Sequence, residues 1–381
     1  MSAAQIAAVN ANLGSFNGGF SSNPVTIVRG ASTVGYAPTI QSGIEFATAG
    51  DIVNVAAGTY AEQLSIEKSL TLRGPNALVA GNGERAPEAT VTYPAGIGAG
   101  EVLVYVAADD VTIEGLNLRA EDDIAPLYPY PIFTQSANDL TIRNNRIYGG
   151  EVAMYILTTN GTTDTAGFRE GMLVEGNFVD CGPFVNSIYN RGIYVQATAG
   201  TIQDNQFVNT NIGIQYMPFG HAQPGVIRRN TVSASLIGLY HNFQIAGAGL
   251  VSWEDNTVTV AANDRQGVKA LVDGAFTGLV TFRGIALRSF GLPGYTGTAP
   301  SVSFTGNSVD ASIGAEGYNS TVLEAVRFGA TGGVDQVSSG TATFSGNSFT
   351  NWTVGVNDAY AASYEMSCNW WGTADANALA A

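Results

Sequence analysis

Residues 302–309 read VSFTGNSV, and residues 342–349 read ATFSGNSF. The same eight-residue frame recurs as LTIRNNRI (140–147), GTIQDNQF (200–207), GVIRRNTV (225–232) and VSWEDNTV (251–258). Degenerate copies stand at LTLRGPNA (70–77), VTIEGLNL (111–118), MLVEGNFV (172–179), VTFRGIAL (280–287) and YEMSCNWW (364–371). When the copies are aligned, the third position is apolar throughout: Leu72, Ile113, Ile142, Val174, Ile202, Ile227, Trp253, Phe282, Phe304, Phe344 and Met366. The first and eighth positions are apolar or small, and polar residues alternate with the first and third. That period of two belongs to a strand with one buried face. One such unit repeated along the chain is the mark of a solenoid, in which each coil rests only on its neighbours.

The sixth position is Asn in eight copies: Asn145, Asn177, Asn205, Asn230, Asn256, Asn307, Asn347 and Asn369. Asn tolerates left-handed backbone angles, so it is expected at a sharp corner between strands. Stacked Asn amides can also bond from coil to coil. Most copies are 22 to 32 residues apart, which suits a coil of three strands, and two longer steps imply outward loops or a missed coil. A further strand per coil is expected after the Asn corner, at AMYIL (153–157), GIYVQ (192–196), GIQYM (213–217), GLYHN (238–242), GVKAL (267–271), AVRFG (325–329) and GVNDA (355–359). The fold class is therefore all-β, a single-stranded right-handed parallel β-helix of about eleven or more coils with an N-terminal helical cap. Residues 1–50 are assigned to the cap region, with helices expected in 2–13 and 39–47, and residues 51–381 to one solenoid domain.

Charge narrows the function classes. Charged residues are 12% of the chain and the formal net charge is −15, with 16 Lys+Arg against 31 Asp+Glu. Lys68 and Lys269 are the two lysines. No basic patch stands ready to neutralise phosphates, so nucleic acid is not an expected partner. No apolar run approaches the ~20 residues of a membrane span. The start, MSAAQIAAVNANLGSF, has neither the basic beginning nor the long apolar core of a secretory leader. The chain is expected to be a piece excised from a longer secreted or cell-surface protein.

The fourth, outward position reads Arg73, Glu114, Arg143, Glu175, Gln203, Arg228, Glu254 and Arg283. Strands about 4.8 Å apart would make these alternating charges neighbours, which assigns them a structural role. Cys181 and Cys368 fall seven coils apart, beyond disulfide reach, so both are expected as free and largely buried thiols.

The stretch TIQSGIEFATAGDIVNVAAGTYAEQLSIEKSLTLRGPN (39–76) resembles the opening of bacterial parallel β-helix proteins, through Gly50-Asp51, Ala57-Gly58-Thr59-Tyr60 and Lys68-Ser69-Leu70. Pectin methylesterases, periplasmic copper-maturation β-helix proteins and many secreted surface proteins share that opening. The resemblance implies the fold and leaves the activity open, since one fold hosts many activities. The paired aspartates of pectin methylesterases have no counterpart in the comparable outward column, which reads Tyr155, Tyr194, Gln215, Tyr240, Lys269, Arg327 and Asn357. The Asn-Thr-Asp and Arg-Ile-Lys motifs of polygalacturonases and the Asp-Pro-His of mannuronan epimerases are also missing.

That outward column is the candidate site. Tyr155, Tyr194 and Tyr240, with Gln215 among them and Gln196, His241 and Asn242 close by, offer the rings and amides that a sugar chain needs. Lys269 and Arg327 complete the carbohydrate-binding set. The leading expectation is an extracellular structural or adhesive module able to bind a polysaccharide or cell-surface glycan. The alternatives are a polysaccharide lyase, with Lys269 as base lowered by Arg283 or Arg327, and a self-associating surface-layer or filament subunit. No catalytic residue is assigned, and no cofactor is required. Calcium is the one candidate ion, at Asp122 and Asp123 in the loop 120–133, which with the loop 288–300 is expected to wall the groove.

Overall fold

A computed structural model describes residues 23–96, 101–120, 129–135, 137–157, 169–182, 190–217, 224–243, 250–261, 280–289, 301–311, 321–329, 342–358 and 364–372. The chain is a right-handed parallel β-helix. It opens with β1 (Val25–Arg29), β2 (Ser32–Ala37), α1 (Ile40–Phe46) and β3 (Asp51–Val55). From β3 onward the coils are built of a first strand, a corner that carries Asn from Asn145 on, a second strand, a small-residue corner and a third strand. First strands form one sheet, and second and third strands join in another that curls around the core.

Three inward columns fill the coil. First strands stack Val53, Leu72, Ile113, Ile142, Val174, Ile202, Ile227, Trp253, Phe304 and Phe344 in direct register. Second strands stack Val91, Leu118, Ile147, Val179 and Phe207, then Val232, Val258, Val309 and Phe349. Third strands stack Leu64, Val104, Ile132, Met154, Ile193, Ile214, Leu239, Ile285 and Val326. All of these are buried. The core is aliphatic near the N-terminal end and aromatic toward the other, where Trp253 stacks on Phe304 and Phe304 on Phe344, at 5.7 and 4.7 Å between ring centroids.

The N-terminal end is closed by antiparallel pairing. β1 runs against both β2 and β3, so the first coil meets a hairpin instead of an open parallel edge. Arg29 fixes that hairpin with two 2.8 Å bonds to the buried Asp51, whose carboxyl it holds well below the usual carboxylate range. Helix α1, within the expected 39–47, buries Ile40 and Ile44. The helix expected over 2–13 lies outside the described residues.

Register corrects several expectations. VTFRGIAL (280–287) is no first-strand copy: it lies in a third strand, with Ile285 between Leu239 and Val326. The first strands Val251–Glu254 and Val302–Thr305 pair directly across it. The degenerate frame suited either strand class, and only pairing separates them. At the other end β3 is an extra coil, pairing Val53 with Leu72. In LTLRGPNA the corner is interrupted. Residues 75–88 leave the coil and lie across its neighbours, where Gly81 N–H donates to Gly176 and Arg85 Nη1 to the Asn144 carbonyl. The second strand of that coil resumes only at Ala89–Thr92, so Ala77 is not its counterpart. Cys181 is buried, but Cys368 is exposed, because it occupies the fifth position, which turns outward at the corner.

The corner itself divides its labour. The left-handed residue is the one before the sixth position, which is Leu116 in one coil and Asn in the rest: Gly115, Asn144, Gly176, Asp204, Arg229, Asp255, Gly306, Gly346 and Cys368 all have φ between 51° and 70°. The Asn side chains point inward and form an unbroken ladder. Each Oδ1 from Asn177 to Asn369 accepts both the backbone N–H and the side-chain Nδ2 of the Asn one coil earlier, the side-chain bonds spanning 2.8–3.1 Å.

The charge column pairs as expected at its start. Arg73 and Arg143 both bond the buried Glu114, the latter at 2.6 Å, and Arg228 bonds Gln203 at 2.9 Å. Beyond Glu254 the column continues as Thr305 and Ser345, and Arg283 is not part of it.

The corner between second and third strands is built on small residues. A Cβ added to Gly213 would lie 2.1 Å from Val232 Cγ1 and 2.6 Å from the Gly238 carbonyl. Gly213→Ala is therefore expected to cost about 1–3 kcal/mol through overpacking. The urea midpoint should fall at unchanged slope; an unmoved midpoint would show that the corner has room to spare.

Candidate functional site

The third strands present their alternate residues outward. Their register sets Ser65, Tyr105, Phe133, Tyr155, Tyr194, Gln215, Tyr240, Ala286, Arg327 and Asn357 in one line, one residue per coil. Four successive coils thus carry an aromatic ring. From Tyr105 to Tyr240 is five steps, about 24 Å. The strand pattern behind this is simple: a small or apolar residue, an apolar residue, the outward residue and another inward one, apolar in LVYV, AMYI and GIYV and Thr134 in PIFT.

The rings pack on one another. Tyr155 and Tyr194 lie 5.0 Å apart at an interplanar angle of 12°, so they cover each other's facing sides. Arg191 sits 5.2 Å from the centre of the Tyr194 ring. Phe133 meets Tyr155 edge-on at 5.4 Å, and Tyr130 adds a tilted contact to Tyr155 at 5.6 Å. The expected display of flat faces to a ligand does not hold for the Tyr155–Tyr194 pair, because coils one strand spacing apart bring their rings into mutual contact. This pair turns ring edges and hydroxyls outward. Tyr105 O–H donates to Gln135 Oε1 at 2.8 Å, and Tyr194 O–H makes a longer contact of 3.4 Å to Gln196 Oε1. Burial raises the pKa of Tyr155 and of Tyr194 above the usual phenol range, which keeps both phenols neutral hydrogen-bonding groups at physiological pH.

The remaining candidates divide. Gln215 is in line but buried, its Oε1 accepting from Arg191 Nε at 2.5 Å. Tyr240 and Gln196 stand on the face, half-buried. His241 is not on it: one residue past Tyr240, it points into the core, fully buried, and its Nδ1 accepts from Trp253 Nε1 at 3.4 Å. Burial lowers its pKa to about 3, so it is a neutral core residue. Asn242 lies on the same strand, but its side chain is outside the described residues. Lys269, with GVKAL, also lies outside them, and the rung that Lys269 was expected to fill holds Ala286. Arg327 is in line and 7% exposed; its Nη1 donates to Glu324 Oε1 at 3.1 Å. Glu324 also accepts from Arg283 Nε at 3.1 Å and from Asn357 Nδ2 at 2.5 Å.

Sequence reasoning overlooked Tyr105, Phe133, Tyr130, Gln135, Arg191 and Glu324, and it placed Arg283 on the wrong strand. A signal existed for three of them: a charged residue stands just before the small corner residue in RGIY (191–194), RGIA (283–286) and EAVR (324–327).

Asp122 and Asp123 lie outside the described residues, as do most of the two loops expected to wall the face. Among the described residues no group of three or more His, Cys, Asp or Glu is placed to hold a metal ion. An open cleft of about 510 Å³ near the first strands is lined by Asp109, Asp110, Asp139 and Glu170. Among the described residues no helix is long and apolar enough to cross a membrane.

No family model matches the chain, and no curated protein matches it. Among solved structures it is similar to a pectin methylesterase from Yersinia enterocolitica, with 12% identity and a TM-score of 0.36, covering 90% of this chain and 95% of that one. It is also similar to the Dettilon tailspike protein, with 13% identity and a TM-score of 0.27, covering 83% of this chain and 62% of that one.

Proposed function

We propose that this β-helix is a secreted or cell-surface module that binds a polysaccharide along the outward face of its third strands. The supporting observation is the line Tyr105, Phe133, Tyr155, Tyr194, Gln215 and Tyr240, continuous over six coils and edged by the amides of Gln135 and Gln196. A straight, rigid strip of hydroxyls, amides and ring edges suits an extended ligand with many hydroxyls, and the fixed strands lose little freedom on binding. The described part of this line carries no carboxylate, so binding is favoured over hydrolysis by paired acids.

The test is binding of the full chain to a panel of neutral and acidic polysaccharides by affinity electrophoresis and calorimetry, with product analysis for cleavage. Tyr194→Phe keeps the stacked ring and removes the hydroxyl. It is expected to weaken binding about three- to tenfold, the worth of one hydrogen bond. Retention of no polysaccharide would end the proposal. Full affinity in Tyr194→Phe and in Gln196→Ala would move the site elsewhere.

A further inference from the structure

The end of the outward line holds a charge imbalance. Glu324 is the one carboxylate that Arg283 and Arg327 share among the described residues. The three side chains are 3%, 18% and 9% exposed. Among the described residues, two guanidinium groups against one carboxylate leave a net positive charge on side chains largely shielded from water. Holding an unbalanced charge away from water is costly, and an incoming anion relieves that cost. Glu324 and the Gly329 carbonyl hold the Arg327 side chain, and Asn357 in turn holds Glu324, so little side-chain freedom remains to be lost on binding. With Nε on the Gly329 carbonyl and Nη1 on Glu324, the Nη1–Nη2 end of the planar Arg327 fork is what remains for the oxygens of a carboxylate or sulfate.

Position adds to this. Arg327 stands in the same line as the rings, two coils and about 10 Å beyond Tyr240, with the small Ala286 between them. From Tyr105 to Ala286 the line carries no formal charge. The molecule as a whole carries −15, which repels polyanions at long range. At physiological ionic strength that repulsion is screened beyond about 8 Å, so a local cation decides what binds beside it.

We propose that Arg327, fixed by Glu324 and accompanied by Arg283 and Asn357, is an anion-recognition point at the C-terminal end of the strip, for a carboxylate or sulfate ester carried by the bound polysaccharide. This rests on the binding face proposed above.

Two matched pairs of probes test it at ~0.15 M salt: dextran against dextran sulfate, and methyl-esterified pectin against polygalacturonate. Within each pair the backbone is shared and the charge differs. The wild-type chain should bind the charged member of at least one pair about tenfold more tightly, the scale of a charge-assisted hydrogen bond. The pair that responds tells sulfate from carboxylate. Arg327→Gln should abolish the preference, so that charged and neutral members bind alike, and Arg327→Lys should restore part of it. Tyr194→Phe should weaken both members equally. Should Arg327→Gln fail to fold, the wild-type preference and its loss in high salt still decide. Equal binding of charged and neutral members, or a preference that survives Arg327→Gln, would overturn the anion point and leave the binding face standing. Binding of none of the four would remove both.

Discussion

Asn256→Ala is expected to destabilise the β-helix by about 3–5 kcal/mol, although it removes no apolar surface. Asn256 is fully buried at the middle of the ladder. Its Oδ1 accepts the backbone N–H and the side-chain Nδ2 of Asn230, both at 3.0 Å. Its own Nδ2 donates to Asn307 Oδ1 at 2.9 Å and to the Ile227 carbonyl at 3.0 Å. Truncation strands donors on one side and acceptors on the other, and each buried group left unmet costs about 1–3 kcal/mol. Solenoid stability is a sum over coils and their interfaces, so the break also uncouples the coils before Asn256 from those after it. Urea unfolding of Asn256→Ala should show a lower midpoint and a broader transition. Asn369→Ala, at the half-buried end of the ladder, removes the acceptor of Asn347 and the donor to the Phe344 carbonyl where water can replace them, and should cost only about 1 kcal/mol. Asn256→Asp should be worse than Ala near neutral pH, because its charge would face the Ile227 carbonyl and the Asn307 oxygen, and it should recover in acid. Equal midpoint losses for Asn256→Ala and Asn369→Ala would show that the ladder is not cooperative.

His241 should make the fold acid-labile well above the range where carboxylates titrate. In the unfolded chain it ionises near 6.5, and in the folded core burial holds that pKa at about 3. Between those values the unfolded chain binds the proton and the folded one does not, so stability rises with pH across the window and falls as pH drops through it. A shift of that size corresponds to something on the order of 5 kcal/mol at the acid end. Asp51 works in a lower window: its depressed pKa contributes stability that is lost only as pH falls below about 3.8, its ordinary value. His241→Leu, matching the Leu287 that follows it in the column, should flatten the stability profile between about pH 6.5 and 4. Urea midpoints at a series of pH values decide it. A wild-type profile already flat over that window would mean that the imidazole reaches water.

Legibility followed the periodicity. The inward residues of the first strands and the eight ladder asparagines could be named from the chain alone, because each recurs at one fixed position in a repeated frame. Alternation also carried information that went unused. His241 stands one residue past the outward Tyr240, and the period of two alone sends it inward. Tyr105 and Phe133 sit in strands with the same pattern as Tyr155 and Tyr194, but without a repeat frame at fixed distance to align them.

What the sequence by itself determined is therefore the coil: which residues face in, where the Asn corner falls, and that alternating charges share a face. Those features are local, fixed by strand alternation and by the hydrogen-bonding needs of a buried amide. What only the tertiary structure decided is which strands are neighbours. Alternation tells inside from outside but is silent on which coil a strand joins, and insertions of unequal length erase the count. Pairing alone moved residues 280–287 from the first strand to the third, put Ala286 where Lys269 had been expected, and gathered Arg283, Glu324, Arg327 and Asn357 from three coils into one buried cluster. It also brought Tyr155 and Tyr194 within 5.0 Å, turning two expected binding faces into a stacked pair.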